Sequence, residues 1–316
     1  MNALRRIVAL LGGAALLVAA VVAGGGASNA GATTTPDYRH ALQVVADLRA
    51  YPPSDPLICM LGGSSARSST VSDASWSTQV RRTVGYPVLA VNLGSKERLL
   101  TQDRRLVGLL PDVHPIVYIG VNMGRFCRGH ADPAIVLPKP SGESVVPQPR
   151  TVVRTQPLSE MRKRQMVAQW MQERWPYFLR NYRYNLGVLE SAVRRSLARG
   201  QHPVIIDLPR NMAIMGHQLD GPLHIYHAGC RAIAKRYGVP YVQFQGHLAL
   251  TSRDFRDLWH LLPTSRMKWQ RELSKTTAAL LRRYRLRPTP SPSPSVDPSS
   301  SPSPDPSLSP SGLPAL

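Results

Sequence analysis

Two short motifs near opposite ends of the chain carry residue types that do chemistry together. Leu61-Gly62-Gly63-Ser64-Ser65-Ala66-Arg67 follows directly on the apolar run Leu57-Ile58-Cys59-Met60, and Asp257-Leu258-Trp259-His260 comes late in the sequence. A serine hydroxyl is a weak nucleophile until a base within hydrogen-bond reach takes its proton. That base works best when a carboxylate fixes its tautomer. Ser64, on a tight turn leaving a strand, is the candidate nucleophile, with His260 as base and Asp257 as its orienter. A helical turn would bring Asp257 and His260 to one side. The oxyanion formed on attack needs donors. The candidates are the backbone N–H of Ser64, that of Gly94, and the side-chain amide of Asn122. Gly94 suits the role because a side chain there would crowd the reacting carbonyl. Plainer readings stand beside each residue. Ser64 could be an ordinary helix cap, Asp257 another, and His260 a packed surface residue, while Ser65 is a neighbouring hydroxyl in a less suitable register. The order and context of all four blocks favour catalysis.

These residues need elements to position them. Apolar spacing predicts a helix over 36–51, stopped by Pro52-Pro53. A buried strand over 57–61 follows, then the Gly62-Gly63 turn and a helix over 72–83. A second strand over 88–93 ends at Asn92-Leu93-Gly94, and a helix spans 97–110. A third strand over 116–119 leads into Gly120-Val121-Asn122. Residues 125–157 are Pro-rich and irregular, a surface excursion of a length that is often functional. Helical sequence resumes over 158–200, with a break expected near Trp175-Pro176. A strand over 204–208, a helix over 222–237 capped by Gly238, a short strand over 241–243 and a last helix over 264–283 complete the order. Strands alternating with helices imply a mostly parallel sheet covered on both faces. Sites in such sheets lie beyond the C-terminal strand ends, where Ser64, Gly94, Asn122 and Pro209 should gather.

With this order in place, the chain resembles the SGNH (GDSL-type) hydrolase superfamily. The blocks are Gly62-Gly63-Ser64, Gly94 within Asn92-Leu93-Gly94-Ser95, Asn122 within Gly120-Val121-Asn122, and Asp257-Leu258-Trp259-His260. The resemblance implies a three-layer α/β/α, flavodoxin-like fold. It also implies Ser64 as nucleophile, His260 as general base and then acid, Asp257 as orienter, and an oxyanion hole from Ser64, Gly94 and Asn122. Two departures mark a divergent branch: Gly63 stands where Asp usually precedes the serine, and Met123 stands where many members have Asp. They bear on the substrate more than on the nucleophile. No metal or cofactor is expected.

The ends read differently. Arg5 and Arg6 precede an apolar stretch over 7–23 and small residues over 24–32, so 1–35 reads as a secretory signal or an uncleaved membrane anchor. Either would place the domain outside the cytoplasm. Residues 288–316 alternate Pro and Ser and are expected to stay disordered. The folded domain is then 36–287. The formal charge is +20. The basic residues are dispersed and no nucleic-acid motif is present, so expected partners are an ester-bearing glycan or lipid and, more loosely, an anionic envelope polymer or membrane surface. The expected function is an exported esterase or acyltransferase. The alternative is a non-catalytic binding or assembly module at the cell envelope.

Weaker candidates remain. Cys127 and Cys230 could pair in an oxidising compartment, while Cys59 is an apolar strand residue. His217, His224 and His227 lie close in sequence without a completing carboxylate. Arg125 and Arg128, just past Asn122, are placed to meet an anionic group or only solvent. Trp170 and Trp175 are better core residues than stacking platforms. The basic and aromatic mixture over 161–183 suits core packing before a membrane surface.

Overall fold

The computed structural model describes residues 35–148 and 156–289. The leader assigned to 1–35 and the tail assigned to 288–316 therefore lie almost wholly outside the described residues. The elements run α1 Pro36–Ala50, β1 Leu57–Leu61, α2 Ser64–Arg67, α3 Asp73–Val84, β2 Leu89–Asn92, α4 Leu100–Val107, β3 Ile116–Val121 and α5 Met123–Phe126. They continue with α6 Glu160–Gln169, a π-helical turn Trp170–Arg174, α7 Trp175–Ala198, β4 His202–Asp207, α8 Met212–Met215, α9 Asp220–Tyr237, β5 Tyr241–Val242, a 3₁₀ turn Ser252–Asp254 and α10 Pro263–Arg283.

The five strands form one sheet in the order β2-β1-β3-β4-β5, and every neighbouring pair is parallel. This is the flavodoxin-like doubly wound order. The strands are mainly apolar because both faces are covered, with Asn92, His202 and Asp207 as polar residues at strand ends. Alternation within β1 sends Leu57, Cys59 and Leu61 to one face and Ile58 and Met60 to the other. The first face packs against α1, α4, α7 and α9 through residues such as Leu42, Leu106, Leu189 and Ile233. The second packs against α3 and α10 through Trp76, Trp269 and Leu273. The result is the three-layer α/β/α arrangement expected from the sequence.

Some details differ from expectation. The helix expected over 97–110 begins at Leu100, and the short helices α2, α5 and α8 sit where turns were expected. The break expected near Trp175-Pro176 is instead a π turn inside a continuous helical run. Pro176 has no N–H to donate and would break an ordinary helical ladder. The wider turn takes up that defect, with Trp175 N–H donating to Trp170 O. Beyond α5, residues 127–148 contain no regular element.

A candidate active site at the strand ends

β1 ends at Leu61, and Gly62 takes φ +148°, where a side chain would place its Cβ 2.7 Å from Ala66 Cβ. That bend feeds the chain through Gly63 into α2, whose first residue is Ser64. The N–H of Ser64 opens a helix, so no carbonyl of that helix accepts it. Asp257 and His260 come from a tight loop rather than the helical turn expected from their spacing. The loop is pinched by an antiparallel bridge between Phe255 and Leu261, and Arg256 N–H donates to His260 O at 2.8 Å. Inside it, Asp257 Oδ1 accepts the backbone N–H groups of Trp259 at 2.8 Å and His260 at 3.0 Å. The carboxylate thus shapes the loop that presents the imidazole.

The three side chains form one line of hydrogen bonds across 196 residues of sequence. Ser64 Oγ lies 2.8 Å from His260 Nε2, and His260 Nδ1 lies 2.7 Å from Asp257 Oδ2 and 2.9 Å from Oδ1. Burial works against the charge on Asp257. The bonds from the His260 ring and from the Trp259 and His260 N–H groups outweigh it, and the carboxyl sits below its ordinary pKa. A carboxylate anion facing Nδ1 favours a proton there, which leaves Nε2 as the acceptor toward Ser64.

Asn122 leaves β3 and lines the same cleft as Ser64 and His260. Its Nδ2 donates to Ser65 Oγ at 3.0 Å and its Oδ1 accepts from Arg125 N–H. An amide nitrogen carries two hydrogens, so one remains beyond the bond to Ser65. Ser65 is buried and engaged by Asn122 rather than by His260.

Gly94 does not join this group. Its N–H donates to Asn92 Oδ1 at 2.9 Å, and it lines a separate depression with Asn92 and Arg67. Glycine is required there by packing, since a Cβ would meet Arg67 N at 2.4 Å. The oxyanion role expected of Gly94 is therefore not met by its geometry. The residues after β2 that do line the Ser64 cleft are Glu97, held at φ +61°, and Arg98.

Supporting residues without a sequence signature hold the loop from below. Lys163 is buried and its Nζ donates to Ser252 O and Phe255 O, each at 2.8 Å. Asn211 N–H donates to Leu258 O at 3.0 Å, and its Nδ2 reaches Asp257 O at 3.4 Å. Asn211 follows a buried cluster in which Asp207 takes Arg210 and the hydroxyl of Tyr226.

The weaker candidates fall elsewhere. Cys59, Cys127 and Cys230 are all free and buried, so the pairing left open for Cys127 and Cys230 is not formed. Burial pushes the Cys127 thiol up to about 12. His217 bonds Asp220, His227 bonds the Tyr226 hydroxyl, and His224 is exposed. Among the described residues no three His, Cys, Asp or Glu side chains gather as metal ligands, and no helix is long and apolar enough to cross a membrane. Trp175 and the buried Trp170 both pack on Phe178, at 5.4 and 6.3 Å, and Trp170 also lines the Ser64 cleft.

No known protein-family profile matches this chain, and no curated protein matches it significantly. Solved structures do. TesA shares 12% identity over 71% of this chain and 99% of its own, with a TM-score of 0.43. Axe2, an acetylxylan esterase from Geobacillus stearothermophilus, shares 11% over 73% of this chain and 94% of its own, also at 0.43. A member of the lipolytic G-D-S-L protein family from Veillonella parvula DSM 2008 shares 11% over 70% and 98%, at 0.41.

Proposed function

We propose that this protein is a serine esterase of the SGNH (GDSL) type that works through an acyl-enzyme on Ser64. The observation that supports it best is the unbroken line from Ser64 Oγ through His260 to Asp257. His260 Nε2 takes the proton as Ser64 Oγ bonds to the ester carbonyl carbon. The Ser64 N–H and the remaining Asn122 amide hydrogen receive the developing oxyanion. Collapse breaks the carbonyl–alkoxy bond, and His260 returns the proton to the leaving alcohol. Water then repeats the sequence, releasing the acid and restoring Ser64. A sugar hydroxyl in place of water would give acyl transfer by the same steps.

The substrate we infer is an O-ester of a glycan or lipid outside the cytoplasm. The sequence over 1–35, with its basic start and apolar stretch, supports that placement. The test is to treat the full chain with an alkyl fluorophosphonate and locate the adduct by mass spectrometry. Labelling at Ser64 that is lost in Ser64→Ala and His260→Ala is the expected result. A chain that stays unlabelled where a known serine esterase labels is a binding module instead.

A further inference from the structure

The cleft beside Ser64 measures about 220 Å³. That is small against the roughly 300–1,000 Å³ of sites that enclose a drug-sized ligand. Four of the residues lining it are arginines: Arg98, Arg125, Arg128 and Arg174. They come from three separate places in the chain, the segment after β2, α5 with the residues just beyond it, and the π turn, so no single basic stretch accounts for them.

Their surroundings divide them. Arg125 is committed to structure. Its Nη1 lies 2.7 Å from Asp103 Oδ2 and 2.7 Å from Gly120 O, and its Nη2 reaches Arg98 O. Arg98 is 3% exposed. Its Nε lies 2.8 Å from Asp103 Oδ1, while Nη1 and Nη2 have no hydrogen-bond acceptor. Asp103 thus faces two guanidiniums with one charge. Arg128 and Arg174 are exposed residues at the cleft's edge, and among the described residues neither guanidinium has a hydrogen bond or ion pair. Desolvation, and then the Arg174 cation, lower the proton affinity of Arg128. The acid nearest them, Glu97, is exposed and lies 3.7 Å from Lys96. The cleft therefore holds an excess of positive charge and unfilled N–H donors next to the serine. The Arg98 donors are buried, and unpaired buried donors are costly unless acceptors reach them; the Arg128 and Arg174 guanidiniums stay free in solvent to take a ligand.

We propose that Arg128 and Arg174, backed by Arg98, form a subsite for an oxyanion group carried by the substrate a few atoms from its ester. The inference rests on the esterase reading, and deepens it from an ester to an anionic ester. The group is a carboxylate or a phosphate, held by the planar guanidinium fork that both accept.

The test compares matched esters on the full chain. 4-Nitrophenyl hemisuccinate against 4-nitrophenyl butyrate reads an anion on the acyl side, and 4-acetoxybenzoate against phenyl acetate reads one on the alcohol side. The expected result is a higher kcat/KM for the anionic member of one pair. In Arg128→Gln/Arg174→Gln that anionic-to-neutral ratio falls about tenfold or more, and Arg128→Lys/Arg174→Lys keeps part of it. Arg81→Gln, on the far helix α3, leaves the ratio as it was. A second measurement needs no turnover: succinate and inorganic phosphate are titrated calorimetrically into Ser64→Ala, with and without the double arginine substitution. Binding weakened about tenfold by that substitution supports the subsite even if Ser64 proves unreactive, in which case the esterase reading alone falls. Neutral esters turned over as fast as anionic ones, with no succinate or phosphate bound, would overturn the subsite and leave the esterase standing.

Discussion

Asp257 does two jobs with one side chain. Oδ1 accepts the two backbone N–H groups that fold the loop, and both oxygens face the His260 ring. Asp257→Asn keeps the size and some loop bonds but offers Nδ1 a donor in place of an anion. That favours the imidazole tautomer that cannot accept from Ser64. On the proposed mechanism kcat falls on the order of 10⁴-fold, as for other triads losing the orienting carboxylate. Steady-state kinetics on a simple aryl ester, beside a thermal melt that holds near the parent's, checks it. Individual residues were unevenly legible. Ser64, Asp257 and His260 could be picked out because hydroxyl, carboxylate and imidazole are informative types at the ends of recognisable elements. Gly94 fits an oxyanion role by its type and its place after a strand, but spacing says nothing about which way the next turn aims an N–H. The left-handed Glu97 has no sequence mark at all, since glutamate does not advertise a positive φ.

Among the elements, the loop over 251–262 depends on anchors that come from helices. Lys163 reaches up from α6 to two buried carbonyls. Lys163→Met leaves Phe255 O unpaired and Ser252 O with only the Phe255 N–H at 3.3 Å, and costs about 1–3 kcal/mol. Because the carbonyls flank the Asp257 loop, kcat is expected to fall more than KM rises. Urea unfolding with parallel kinetics separates the two effects. Asp254 anchors the other side, accepting from Thr251 N–H at 2.7 Å, Ser265 Oγ at 2.7 Å and Lys268 Nζ at 2.9 Å. Burial opposes its charge, but these bonds win and set its pKa at about 2 against an ordinary 3.8. A depressed folded pKa means stabilisation that is complete above pH 4 and lost as pH falls through 2. It is worth about 2 kcal/mol. Asp254→Asn should be less stable by about that much at pH 7, with the gap to the parent closing between pH 4 and 2. Denaturant melts at pH 7, 4 and 2.5 read it. Such anchors are invisible in sequence because a lysine or aspartate on an amphipathic helix looks like solvent-facing charge until its long-range partner is known.

For the molecule as a whole, the two faces of the sheet are unequally covered, by four helices on one side and by α3 and α10 on the other. The smaller layer leans on Trp269, which is fully buried and meets Phe244 at a 4.9 Å ring separation. Trp269→Ala is expected to cost about 3–5 kcal/mol, seen as a lower midpoint in guanidinium unfolding. The layered architecture was readable from alternation of strands and helices because a sheet buried on both faces demands continuous apolar runs. The cleft was not readable, since its arginines meet only after the chain closes.

That closure has a temporal meaning. Ser64 sits at the start of α2, close behind the first strand, and its hydrogen-bond partner His260 follows the last strand, 196 residues later. A nascent chain with the serine already folded onto its strand still lacks the group that would activate it. Reactivity at Ser64 should therefore arrive in a single late step of biosynthesis, once the loop bearing His260 has left the ribosome. A chain cut short before that loop would carry a silent hydroxyl, harmless to esters around it.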